Sequence, residues 1–291
     1  MEKHINNFID YLENVKKSSS NTISAYTRDL KKLQGFLDNL NVSNVRHISE
    51  TLLNSYILHM EKEGFSSSSV ARNIASIKAF MLYLIKNGHI SSDPSERIKA
   101  PKVETKAPRT LDLDQINQLL DMPDLSTKKG IRDKAMLEIL YATGMKVSEV
   151  IGIKVSDINL KSRFISCGSR RERNIPFGKT CKKAIEDYLE IRQEAFNKNN
   201  LDYLFLNFSG NKLTRQGFWK ILKEYANKIG LKDISPNVIR HSFATHMIDN
   251  GADLESLQEF LGHSDLGSTQ NYLHKEYKNS RQVYLDTHPR A

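Results

Sequence analysis

Ser235-Pro236-Asn237-Val238-Ile239-Arg240-His241-Ser242-Phe243-Ala244-Thr245-His246 is the run on which the reading turns, together with Leu261-Gly262-His263-Ser264 and, a few residues on, Tyr272. The periodicity predicts helices over Val238–Asn250 and Leu254–Leu261. Arg240, His241, His246 and His263 then sit where packing helices are ordinarily apolar. A third segment has the same character: Ala142-Thr143-Gly144-Met145-Lys146-Val147-Ser148-Glu149-Val150, at the end of a helix predicted over Ile131–Thr143. The histidines lack a cysteine pair or a His-Glu-x-x-His spacing, so no metal is expected.

Working outward, Leu113–Leu120 reads as a helix before this region and Phe218–Ile229 as one within it. Phe218 and Trp219 are taken as core. Phe164-Ile165-Ser166 and Arg173-Asn174-Ile175-Pro176 flank a Gly-Ser-Arg-Arg turn, the pattern of a β-hairpin. The first hundred residues differ in texture. Ile5, Phe8, Ile9, Leu12 and Val15, and then Tyr26, Leu30, Leu33, Leu37 and Leu40, recur at helical spacing. A third helix is expected from Thr51 through Met60, and a fourth carries Val70, Ile74, Ile77, Phe80 and Leu84 to an Asn87-Gly88 stop. Ser/Asn-rich turns supply N-caps between them. Between the two regions, Pro94, Pro101 and Pro108 alternate with Lys99, Lys102 and Lys106, the composition of an extended basic linker. Such a strap fits a phosphate backbone and a plain solvated linker equally well.

The 291 residues suffice for two ordinary domains, and the formal net charge of +9 favours a polyanionic partner, nucleic acid or an anionic membrane surface. Two cysteines, Cys167 and Cys181, cannot form a disulfide framework and fit a reducing, cytoplasmic setting. No basic-then-apolar leader opens the sequence and no apolar run is long enough to span a bilayer, so no membrane role is expected.

Taken together, the Arg-His-Ser-Phe-Ala-Thr-His run and the Leu-Gly-His-Ser…Tyr spacing resemble the tyrosine recombinase (phage integrase) family, most closely its Xer-type members. The resemblance spans the chain and implies a mainly α fold with a small β-sheet. It implies an N-terminal helical, SAM-like DNA-binding bundle (1–97), a basic linker (98–109) and a tyrosine-recombinase catalytic domain (110–291), closing on DNA as a C-shaped clamp. The implied activity is site-specific recombination through a 3′-phosphotyrosyl intermediate, with no metal or nucleotide cofactor. The implied partners are double-stranded DNA and the protein itself, or a related recombinase, in a DNA-assembled tetramer. The closing segment Ser280–Ala291 is expected to dock on a neighbouring protomer. Tyr272 matches the nucleophile; Arg240 matches a phosphate-clamping arginine, and His263 a second phosphate donor. Glu149 and His241 match supporting positions. Arg170, Arg171 and Arg173, with Lys102 and Lys106 in the linker, are the expected DNA contacts.

Three positions depart from the family pattern. Lys146 stands where an arginine is usual, and keeps the charge without the fork. Asn237 stands where histidine or lysine is usual, and cannot carry a proton at neutral pH. The hairpin offers Gly168-Ser169-Arg170-Arg171 where the family's general-acid lysine sits. Two functions therefore fit the sequence: a recombinase, slowed by these changes, or a Xer-like DNA-binding protein that acts without cleavage. A helical transcription regulator of other ancestry would require all three matched segments to be coincidence.

Overall fold

A computed structural model describes residues 1–103, 109–168, 173–196, 202–262 and 280–290, divided into two compact units, Met1–Lys106 and Ala107–Ala291. Unit 1 holds four helices: α1 (Glu2–Asn14), α2 (Ser20–Asn39), α3 (Glu50–Lys62) and α4 (Ser67–Lys86). Serines begin the last three. The hydroxyl oxygens of Ser19, Ser49 and Ser66 accept hydrogen bonds from the backbone N–H groups of Thr22, Leu52 and Ser69. Each satisfies one of the donors that a helix start leaves open. The cap of α2 is thus Ser19. The apolar stripes meet in one core, with Phe8, Leu30, Leu37, Leu53, Phe80 and Leu84 buried.

Unit 2 is built around α6 (Lys128–Thr143), which is buried on nearly every side between α8 (Lys179–Phe196) and α10 (Pro236–Asp249). A helix covered all round must pair its polar residues internally. Arg132 and Asp133 do so at 2.7 Å, and Tyr225 donates to Asp133 at 3.0 Å. The remaining elements are α5 (Leu113–Asp121), the single turn α7 (Val147–Val150), α9 (Arg215–Lys228), α11 (Leu254–Leu261) and α12 (Ser280–Thr287). Three short antiparallel strands, β1 (Ile158–Asn159), β2 (Phe164–Cys167) and β3 (Arg173–Pro176), form one sheet in that order. The β2–β3 register pairs Ile165 with Ile175 and Cys167 with Arg173, so both isoleucines face the core. The fold is mainly α with this small sheet, as the sequence predicts.

One expectation is corrected. Phe218 is buried, but Trp219 is 45% exposed with the Lys223 ammonium 5.1 Å from its ring centre. The register of α9 turns only one of two adjacent aromatics inward. In the single chain the closing segment packs on its own unit. Val283 and Tyr284 are buried, and the Tyr284 ring stacks on His288 at 4.7 Å. Arg290 donates to Asn117 at 2.8 Å and pairs with buried Glu138. Burial of a whole tyrosine and pairing of a buried carboxylate hold these residues against their own chain.

Candidate active site

The site assembles where three chain reversals meet. α6 ends at Gly144, whose φ of 57° is left-handed, and α11 ends likewise at Gly262, φ 61°. Both turns expose carbonyls that helix geometry leaves without internal partners. α10 enters between them behind Pro236, which is preset for a first helical position. From its second turn Arg240 donates to the Gly144 carbonyl at 2.6 Å and the Leu261 carbonyl at 2.8 Å. The arginine is only 7% exposed. Ser242, two residues on, accepts from the Leu111 N–H at 2.8 Å and so ties α10 to the start of the unit.

No carboxylate is hydrogen-bonded to Arg240 among the described residues; both of its recorded partners are neutral carbonyls. Burial lowers its pKa, the nearby Glu149 charge opposes that shift, and Arg173 adds to it. The guanidinium remains charged. A buried cation held by neutral acceptors leaves a positive potential at the site, suited to an arriving anion.

Glu149 and Arg173 form the wall beside it. Glu149 accepts the backbone N–H of Lys146 at 2.8 Å, and both of its oxygens accept from Arg173 Nη2 at 3.1 Å. Arg173 Nε donates to the Phe260 carbonyl at 3.1 Å, one residue before the carbonyl that Arg240 holds. Two guanidiniums thus grip successive carbonyls at the end of α11. Arg173, grouped by sequence with the arginines of the turn as an expected DNA contact, directs its guanidinium inward with 11% of the side chain exposed. The Cys167–Arg173 pairing places it in the strand ladder, in the last pair before the turn, rather than in the turn itself. Cys167 lies alongside, and its thiol is pushed up to about 11, first by burial and then by the Glu149 charge.

Lys146 caps α7 with its side chain exposed, and its ammonium has no partner among the described residues. Asn237 is exposed on the first turn of α10. His241 is exposed next to Arg240, and burial together with the Arg240 charge lowers its pKa, so it is neutral at pH 7. His246 points into the core, where Nδ1 lies 2.9 Å from the Tyr141 hydroxyl. Lys102 is exposed at the end of unit 1. Tyr272, His263, Arg170, Arg171 and Lys106 lie outside the described residues. No group of three or more metal-ligating side chains converges among the described residues, and no described helix is long and apolar enough to cross a membrane. Sequence reasoning missed the two carbonyls that hold Arg240; the only trace of them is the glycine after each helix, in Thr-Gly-Met and Leu-Gly-His.

The model of the phage integrase family matches residues 109–279, well over half of the chain, and that of the family's N-terminal SAM-like domain matches residues 5–88. The chain belongs to the phage integrase family. Among relatives, the tyrosine recombinase XerD of Listeria innocua is 43% identical and that of Staphylococcus epidermidis 39% identical, each alignment covering 100% of both proteins. The fold is also that of the Tn1549 transposon integrase solved in complex with circular intermediate DNA, with a TM-score of 0.74 over 97% of this chain and 98% of that one at 19% identity. This phage integrase family member is thus a Xer-like, site-specific tyrosine recombinase, an enzyme of DNA strand exchange.

Proposed function

We propose that this recombinase cuts and rejoins duplex DNA with Tyr272 as nucleophile, Arg240 as the principal phosphate clamp and His263 as a second donor to the same phosphate. The observation that carries the reading is the buried Arg240 guanidinium, bonded to two carbonyls and, among the described residues, to no carboxylate. In the reaction the Tyr272 phenol gives up its proton and its oxygen attacks the phosphorus. The bond from phosphorus to the 5′ oxygen breaks as the 3′-phosphotyrosyl bond forms, and the departing oxygen takes a proton. Attack by the 5′ hydroxyl of a partner strand runs the same steps backwards. A phenol pKa of about 10 makes the first proton loss costly at neutral pH. Arg240 stabilises the charge that gathers on the non-bridging oxygens. Glu149 and Arg173 fix the two helix ends that hold it.

Lys146 and Asn237 retain a cation and a hydrogen-bond donor but lose the bidentate fork and the titratable ring of the family pattern. The hairpin turn supplies arginines, which do not donate protons at neutral pH. Slow chemistry follows, because phosphate donors and general acids each contribute about 100-fold or more. Arg170 and Arg171, with Lys102 and Lys106 of the linker, contact the DNA backbone. The protomers assemble on DNA, with themselves or with a related recombinase, as a tetramer in the cytoplasm.

Restoring the pattern tests this. The Lys146→Arg/Asn237→His double variant is expected to accumulate covalent protein–DNA adduct at least about tenfold faster than the parent on a nicked suicide duplex. A restored protein that binds the duplex as well as the parent and forms no adduct would show that the scaffold does not cleave, and would establish a binding role instead.

A further inference from the structure

A bidentate ion pair with one buried partner lies in unit 1, outside the site. Asp29, on α2, is wholly buried, and Arg72, on α4, is 40% exposed. The pair is bidentate: Arg72 Nε and Nη2 donate to the two Asp29 oxygens, each at 2.8 Å. Arg72 is the only ionic partner of Asp29 among the described residues. The neighbouring polar groups are committed elsewhere. Tyr56 donates to Asn73 Oδ1 at 3.0 Å, and Asn73 donates to the Ser69 carbonyl at 3.1 Å.

As a stabilising device this is poor. Burying a carboxylate is expensive, and a well-packed apolar pair in its place is often neutral or better for stability. What the arrangement achieves is orientation. A guanidinium gripped along one edge has its plane and its opposite edge fixed, whereas a free arginine must lose side-chain entropy on binding. The opposite edge ends in Nη1, which has no hydrogen bond among the described residues and lies on the half-exposed side of the pair.

The surroundings favour an anion. α4 contains no Asp or Glu over its whole length, and its cations are Arg72, Lys78 and Lys86. The first fifteen residues of α2 carry Arg28, Lys31 and Lys32 against a single acid, the buried Asp29. One turn either side of Arg72 on α4 lie Ser68 and Ala75, both small and exposed, which leave room for a bulky backbone to approach.

We propose that Arg72 is a preset contact for a backbone phosphate of duplex DNA and that Asp29 is its positioning residue. This rests on the recombinase reading above, but on residues of a different unit from the cleavage site. Simple charge counting and the positioning argument predict opposite results for Asp29→Asn. Removing a negative charge should tighten DNA binding by attraction alone, whereas freeing Arg72 should weaken it.

The test is the affinity of the full-length protein for a duplex carrying its site and for an unrelated duplex, across a salt series. Circular dichroism at the assay temperature checks that each variant is folded. Arg72→Ala is expected to weaken both duplexes alike and to lower the slope of log affinity against log salt by about 1. Arg72→Lys should keep most of the slope but bind more weakly, and Asp29→Asn should bind more weakly than the parent. A folded Arg72→Ala protein with parental affinity and slope would overturn the proposal, as would an Asp29→Asn protein that binds more tightly. If the parent itself binds no duplex, the recombinase reading fails as well, which separates the two failures.

Discussion

At the scale of single residues, the site depends on main-chain geometry as much as on charged side chains. Arg240 is held by the carbonyls of Gly144 and Leu261, and a lysine could reach at most one of them with comparable geometry. Arg240→Lys is therefore expected to slow covalent-adduct formation on the order of 100- to 1000-fold, with a much smaller change in DNA affinity. Equal losses in both would assign Arg240 to binding rather than to the reaction. Gly144 is the second test. Its left-handed φ of 57° disfavours any side chain, and a Cβ there would lie 2.3 Å from the Phe243 ring. Gly144→Ala should lose at least about 2 kcal/mol of stability in urea titration. A loss below about 0.5 kcal/mol would mean that the turn has room to relax.

What the sequence made legible at this scale was the set of ionisable residues out of place on packing helices. Arg240 and Glu149 were legible because their types are anomalous for a core. The direction of Arg173 was not legible, because it depends on the Cys167–Arg173 strand pairing, which composition does not encode. The holding carbonyls carry no side-chain signature, and Trp219 needed the rotational register of α9.

At the scale of elements, the amphipathic helices of unit 1 follow the predicted stripes because a helix in a small bundle must keep one face polar. α6 is harder to bound, since a helix buried on nearly all sides loses its periodicity; the sequence pattern begins it at Ile131, whereas Thr127 caps it and it starts at Lys128. The two-residue strand β1 is too short for any alternation to register. The docking of α12 has a consequence in pH. His288 is buried against Tyr284, Tyr141 and Phe243, with Arg290 and His246 the nearby titratable groups. Burial, opposed by a contact with the Tyr141 carbonyl and aided by the Arg290 charge, holds its pKa down at about 3, and burial lowers His246 as well.

The sign follows from linkage. Above the ordinary histidine pKa of about 6.5 both states are neutral and these groups contribute no pH dependence. Below it the unfolded chain takes up protons that the folded one refuses, so stability falls as pH drops from about 6.5 towards about 3. Each such histidine contributes a slope of up to about 1.4 kcal/mol per pH unit. Urea midpoints measured between about pH 7 and about pH 5 should decline for the parent and decline less for His288→Phe. Equal declines would show that His288 is not buried neutral, and so that α12 is not docked as described.

At the scale of the whole molecule, a net charge of +9, an acid-free α4 and a buried cation between two helix ends are consistent with a protein that meets DNA in both of its units. The proposal assigns the three departures, Lys146, Asn237 and the lysine-free turn, to the rate of the reaction. The most direct test of the account is covalent trapping. The protein is incubated with a nicked suicide duplex carrying its site, and denaturing gels are read for a protein–DNA adduct, with Tyr272→Phe alongside. The account predicts a slowly accumulating adduct that is absent from the Phe variant. An adduct that persists in Tyr272→Phe would contradict the assignment of the nucleophile. Firm binding with no adduct from the parent or from the Lys146→Arg/Asn237→His protein would contradict the claim that this recombinase cuts DNA.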